Sequence, residues 1–318
     1  MPIPRMDSVS DTVRVTASGP LHERRIDEAA DFLRVRRFLA DRHVDASPGS
    51  WDVRMWDGAW HTGAPPEVNA DRRGRMRVFE DEAGTIAALL LSQGNEEIHP
   101  QLHPAWKHVE PHVVARGEAI GRALGDDQAK ILCWEHDGAR AGLLEERGYT
   151  RTKDAAHLYR MRLDTHPPRA IPMPTGYRLR PTRPEAADRE HVASLLNAGF
   201  GRTRHHAGEV RALQEGAPSF RQGLDLVAET RSGTLASYAA VCWDADNHRA
   251  IFEPVCTHPG HRRRGLARAL MTEGLRRTRA LGAQSIEVPT GDAEAANALY
   301  RAVGFSDCFR GWFWTKSL

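Results

Sequence analysis

Residues 164–176, DTHPPRAIPMPTG, carry four prolines in thirteen positions. Proline fixes φ and has no N–H, so neither a continuous helix nor a central strand can run through this stretch. An extended connector is what such a composition supports. It cuts the 318-residue chain into two parts of similar length, each the size of an ordinary domain. We read 1–163 as a first domain, 164–176 as a linker and 177–318 as a second domain.

The two parts repeat one another. ARAGLLEERGYT (139–150) lies against AANALYRAVGFS (295–306) without a gap, pairing Leu143 with Leu299, Gly148 with Gly304 and Tyr149 with Phe305. Each segment reads as a short helix closed by a glycine, with an aromatic residue opening the next strand. Upstream, LHPAWKHVEPH (102–112) matches THPGHRRRGLA (257–267) through a shared His-Pro. Two matches in the same order and at nearly the same offset point to a duplicated domain.

Composition removes several classes of function. Hydrophobic residues at 41% and charged residues at 27% describe a globular chain. No stretch approaches the ~20 apolar residues that span a bilayer, and MPIPRMDSVSDTVRV lacks the apolar core of a signal peptide. The expectation is a cytoplasmic protein with no membrane partner. Cys133, Cys242, Cys256 and Cys308 are widely spaced, as free thiols in a reducing compartment would be. His108 and His112 have helical metal-ligand spacing, but prolines interrupt the geometry, and no metal is expected. The tryptophans of WDVRMWDGAW (51–60) suit a substrate pocket or a domain interface, and RHHAGEV (204–210) falls in a substrate-side helix or loop and reads as solvated surface. Net charge is +2, from 44 basic and 42 acidic residues, too even for a dedicated nucleic-acid binder. The arginines of HRRRGLARAL (261–270) must therefore be judged in their own setting.

That setting is a mixed α/β pattern. YRLRP, LDLVAET, TLASYAAVCW, AIFEPVCT and SIEVP read as strands, REHVASLLNAGF and AEAANALYRAVG as helices, and the WFW tail as a last strand. A helix beginning near Arg264 places Leu266, Ala267, Leu270, Met271, Gly274 and Leu281 on one half of its surface, with Arg268, Thr272, Arg276 and Arg279 on the other. Arg262, Arg263 and Arg264 fall in the loop before its first full turn. Such a loop offers unpaired backbone N–H groups and the positive end of the helix dipole. Gly265 and Ala267 keep side chains away from that backbone. The arrangement predicts a pyrophosphate site.

R-x-x-G-x-A (Arg262, Gly265, Ala267), after a strand ending in V-x-T-H-P, resembles the acyl-CoA signature Q/R-x-x-G-x-G/A of the GNAT superfamily of acetyltransferases. The downstream N-x-x-Y with G-F (Asn297, Tyr300, Gly304, Phe305) resembles that family's next motif. The resemblance covers about residues 175–318 and implies two tandem GNAT-like domains, each a mixed twisted sheet flanked by helices. It implies acetyl-CoA as co-substrate, held by Val255, Cys256, Thr257, Arg262, Arg263, Arg264, Gly265, Leu266, Ala267, Asn297 and Tyr300. It further implies Glu253 as general base, Tyr300 as the acid for the departing thiolate, and direct attack by a small-molecule amine. Opposite the loop, the first domain has Lys107, His108, Val109, Glu110 and His112; opposite Asn297 and Tyr300 it has Ala141 and Leu144. A carboxylate at Glu110 repels phosphate, so the first domain reads as degenerate. A catalytically silent CoA-binding protein, a nucleic-acid binder and an enzyme resembling the tandem mycothiol synthases remain as alternatives. The expected assembly is a monomer with its two domains packed together.

Overall fold

Repetition in the sequence becomes repetition of elements. The computed structural model describes residues 19–318 except 27–28, 44–48, 65, 95, 166–167 and 169. The N-terminal segment read above as lacking a signal core, and three positions of the proline-rich stretch, lie outside the described residues. The first half runs β1 (His22–Arg25), α1 (Ala29–Asp41), α2 (Val53–Trp60), α3 (Pro66–Gly74), β2 (Arg77–Glu80), β3 (Ile86–Leu91), β4 (His99–Leu102), α4 (Glu110–Leu124), β5 (Gln128–Trp134), α5 (Gly138–Glu146) and β6 (Thr150–Arg162). The second runs β7 (Tyr177–Pro181), α6 (Ala186–Phe200), α7 (Ala207–Gly216), β8 (Asp225–Thr230), β9 (Leu235–Asp244), β10 (Arg249–Thr257), α8 (Leu266–Ala280), β11 (Ser285–Gly291), α9 (Glu294–Val303) and β12 (Asp307–Ser317). Apart from α3, the order is the same.

The glycine closures agree in detail. Gly304, at φ 115°, stops α9 in a left-handed conformation that a β-carbon disfavours, and Phe305 N–H then bonds back to Tyr300 C=O at 3.1 Å. Gly148 does the same for α5, with Tyr149 N–H donating to Leu144 C=O at 2.9 Å. One local sequence thus gives one local structure twice.

The sheets do not respect the halfway point. Strands β1-β2-β3-β4 form one antiparallel sheet; the other has the order β5-β12-β6-β11-β10-β9-β8-β7. The last strand of each half is exchanged. β6 pairs antiparallel with β11, Ser285 opposite Arg162 through Gly291 opposite Ala156, and β12 lies between β5 and β6. Packing follows the pairing. Tyr159 and Met161 of β6, with Leu163 just beyond it, are buried in the second half's core with Phe252, Leu270, Ile286 and Phe305. Trp314 of β12 is buried in the first half's core with Ile131 and Leu144. Burying Met161 and Leu163 contributes roughly 1.5–3 kcal/mol each, so the exchange is a main tie between the halves. Among the described residues no helix is long and apolar enough to cross a membrane.

The tryptophans just before and within α2 have a different place from either one expected. Trp51 and Trp56 are buried in the first half's own core with Phe32 and Val35. The polar residues of the same helix face the second half: Asp57 Oδ2 accepts from Ser219 N–H at 3.0 Å, and Arg54 reaches Glu253.

Candidate active site

The site begins where two parallel strands part. β10 pairs with β11 from Arg249 opposite Ser285 only as far as Ile251 opposite Glu287. Both strands continue, to Thr257 and Gly291, without further pairing to one another. On its other side β10 stays joined to β9, with a bulge between Phe252 and Val255. The pairing pattern therefore leaves a wedge along β10 from Glu253 to Thr257, and its backbone edge there has no strand partner.

At the far end of β10 the chain makes a short 3-10 turn (Pro259–His261) and enters α8. Gly265 is the residue before the helix, at φ 79°, and no side chain caps the first N–H groups. A β-carbon there would meet only Pro174 Cγ, at 4.0 Å, so the position is open as well as left-handed. Arg263 also has positive φ, 62°. Of the three arginines, Arg262 donates to Gly199 C=O at 2.9 Å and Arg264 to Tyr177 Oη at 2.8 Å. Tyr177 Oη in turn lies 2.8 Å from His261 Nδ1. Burial and the charge of Arg264 lower the His261 pKa, which suits a neutral ring accepting from the phenol. All three arginines are exposed. The loop thus has a built frame from which Arg263 projects.

The buried face of α8 follows the apolar reading at Leu266, Leu270, Met271 and Gly274, but not at its margins. Thr272 is buried, because its Oγ1 donates to Arg268 C=O at 2.8 Å and so needs no water. Leu281, at the helix end, is half exposed.

Glu253, Tyr300 and Asn297 gather at the wedge. Glu253 Oε1 lies 3.5 Å from Arg54 Nη1, with the carboxylate side chain 36% exposed. The partner comes from α2 of the first half, not from the neighbouring loop. Burial alone would lower the Arg54 pKa; the carboxylates of Glu253 and Asp52 more than offset it, and the net shift is upward. Tyr300, on α9, is 6% exposed and packs against Tyr159 and Phe305. Its pKa is pushed up to about 12, chiefly by burial and further by the nearby Glu253 charge. A phenol held protonated so firmly can donate at any ordinary pH. Asn297, one turn earlier, donates from Nδ2 to Gly291 C=O at 3.2 Å, while its buried Oδ1 has no hydrogen-bond partner. An orphaned acceptor of this kind at the wedge suits a ligand amide N–H.

Cys256 is a packing residue. Its Cβ lies 2.8 Å from where a β-carbon on Gly199 would stand, and burial pushes its thiol up to about 12 despite Arg262. One feature escaped sequence reasoning. Arg54 gave no local signal, since its role depends on a contact across some 200 residues of chain. Helix α7 begins inside RHHAGEV, where His206 accepts from Glu209 N–H at 3.1 Å and His205 pairs with Glu209 at 2.9 Å.

The corresponding wedge of the first half is closed. There Glu97, two residues before β4, bridges Lys130 of β5 in parallel, and beyond that point β4 and β5 join different sheets. Counting back three residues from His103 and from His258 sets Pro100 against Val255, so the first half has no N–H at that point. Arg140 of α5 fills the space, donating to Pro100 C=O at 3.3 Å and ion-pairing with Glu110, the residue that stands opposite Gly265. His108 stacks on Trp106 and His112 packs edge-on to Phe79, so the two rings separate.

Comparison with known proteins bears on the second half and on the fold. Residues 223–307 match the acetyltransferase (GNAT) domain family. Streptothricin acetyltransferase of Streptomyces lavendulae is 39% identical over 84 residues, a match spanning 26% of this chain and 44% of that relative's length. A tandem GNAT protein from the clavulanic acid biosynthesis pathway superposes with a TM-score of 0.66 at 19% identity, covering 94% of this chain and 98% of that one. A GCN5-related N-acetyltransferase from Sphaerobacter thermophilus gives 0.63 at 19% identity, covering 94% and 97%. These likenesses in structure are likenesses of fold.

Proposed function

We propose that this chain, which carries a GNAT acetyltransferase domain in its second half and has the fold of tandem GNAT proteins, is an acetyl-CoA-dependent N-acetyltransferase acting on an amine of a small molecule. The observation that carries the reading is the wedge between β10 and β11. It is bounded by an uncapped helix N-terminus at one end and by Glu253 and Tyr300 along its length.

Residues of this chain fit acetyl-CoA. The N-terminus of α8, Gly265 and Arg263 would take the pyrophosphate, and Asn297 Oδ1 the amide of the pantetheine arm. Bound acetyl-CoA supplies the thioester whose acetyl carbon the amine attacks. Glu253 takes the proton that the amine must lose, directly or through one water. Arg54 fixes the carboxylate that does so. Tyr300 Oη holds the proton required by the departing thiolate. The first half contributes Arg54 and the strand β6; its own wedge, filled by Arg140, holds no second cofactor.

The test is release of CoA thiol across a panel of small amines, aminoglycosides and streptothricin among them, with acetyl-CoA as donor. Acetylation of at least one amine, lost in Glu253→Gln, is the expected result. Acetyl-CoA binding with no acceptor used by any class of amine would replace the enzyme by a silent CoA binder.

A further inference from the structure

Acetyl transfer leaves one cluster of reactive side chains unused. His157 on β6, Asp292 in the turn between β11 and α9, and Cys308 on β12 meet because the last strands are exchanged. Cys308 lies opposite Tyr159 in the β12–β6 ladder, and His157 is two residues from Tyr159, on the same face. Cys308 Sγ is 3.7 Å from His157 Nδ1, and Asp292 Oδ1 is 2.7 Å from His157 Nε2. The carboxylate assigns the proton of the neutral ring to Nε2, which turns the lone pair of Nδ1 toward the thiol.

Access divides the groups in a useful way. His157 is only 6% exposed and stacks on Tyr159, so the ring is held in place. Cys308 is exposed and the Asp292 side chain is 63% exposed, so the sulfur meets reactants arriving from solution. The other thiols differ. Burial pushes Cys133 up to about 11 and Cys242 and Cys256 up to about 12, which suppresses their thiolates.

We propose that Cys308 is a thiol–disulfide exchange site for small-molecule disulfides, with His157 as its base and Asp292 as the residue that orients the base. His157 Nδ1 accepts the Sγ–H proton as Sγ attacks one sulfur of the incoming disulfide. The bond from Cys308 to that sulfur forms while the original S–S bond breaks, and the departing thiolate takes the proton from His157. One disulfide replaces another, so no further oxidant or reductant is consumed. The inference does not depend on the acetyl-transfer reading.

The experiment mixes the native full-length protein with Ellman's reagent, an aromatic disulfide, at neutral pH and follows the released thiolate. Intact mass then counts the adducts. We expect one fast equivalent per chain that disappears in Cys308→Ser. It should slow by about tenfold or more in His157→Asn and by severalfold in Asp292→Asn, the losses that removing a base and its orienting partner produce. Asp292 is exposed, so its variant keeps the fold whether or not the His157 variant does; circular dichroism checks both. A fast phase that survives Cys308→Ser, or a rate unchanged in a folded His157→Asn or Asp292→Asn protein, overturns the proposal. So does the absence of any fast phase.

Discussion

At the scale of single residues, the chemistry assigned to the wedge separates into groups that move protons and groups that hold them. Glu253→Gln keeps the shape and hydrogen bonding of the side chain but cannot accept a proton. It should lower kcat by ~10²-fold or more and leave acetyl-CoA affinity nearly unchanged, as steady-state kinetics with parallel calorimetry would show. Tyr300 makes a more specific prediction through its pKa. A group raised to about 12 is protonated throughout the neutral and mildly alkaline range. The ratio of wild-type to Tyr300→Phe turnover should therefore stay flat between about pH 7 and pH 10, where an unshifted phenol would already be titrating. A ratio near one at every pH would show that the proton comes from elsewhere, and a ratio that falls toward one only near pH 10 would show an unshifted phenol. Both residues were singled out in the sequence by the motifs around them, and these variants test the roles proposed for them. Arg54 was not: an ion pair across the halves leaves no trace in local spacing, whereas a loop-and-helix signature does.

At the scale of elements, α2 and α8 carry opposite lessons. The start of α8 was readable because small residues and arginines before an amphipathic stretch have one structural outcome. Its margins were less so, because periodicity cannot foresee that Thr272 satisfies its hydroxyl on its own helix. Gly265→Val puts a branched side chain on a residue at φ 79° that faces the proposed phosphate position. A cost of about 1–2 kcal/mol in stability should accompany a left-handed non-glycine residue. Acetyl-CoA affinity should fall by much more, about 100-fold or greater, equivalent to about 2.7 kcal/mol. Intact affinity in the folded variant would sink the clamp. Helix α2 makes the other case. Its aromatic residues belong to its own half's core, and the side chain it extends to the proposed base is Arg54. A partly exposed pair of this kind is worth only about 0–1 kcal/mol to the fold, so stability is the wrong measurement. Arg54→Met should instead lower kcat by about tenfold with little change in the melting temperature, and Arg54→Lys should recover part of the loss.

At the scale of the whole molecule, the duplication was visible in the sequence and the exchange was not. Alternating strands record which face is buried, but nothing local in β6 or β12 records which sheet each one joins. The closed wedge of the first half leads to a stoichiometry: calorimetry should find one acetyl-CoA per chain, with saturation at ~100 times Kd adding about 2.7 kcal/mol of stability. Two sites would show that Arg140 yields. The exchange leads to a second prediction. Residues 177–318 alone lack β6, so β11 presents an unpaired edge and the core loses Tyr159, Met161 and Leu163. That fragment should be unfolded or self-associated by sedimentation and circular dichroism, and a stable, cofactor-binding monomer would contradict it. The same exchange fixes a timetable for biosynthesis. A nascent chain leaves the ribosome N-terminus first, at about 5–20 residues per second. Strand β5 has to wait through synthesis of most of the second half until its neighbour β12 (Asp307–Ser317) emerges. The earliest half to be made is thus among the last parts to be finished, and a ribosome stalled before residue 307 holds a chain in which neither half has its full sheet.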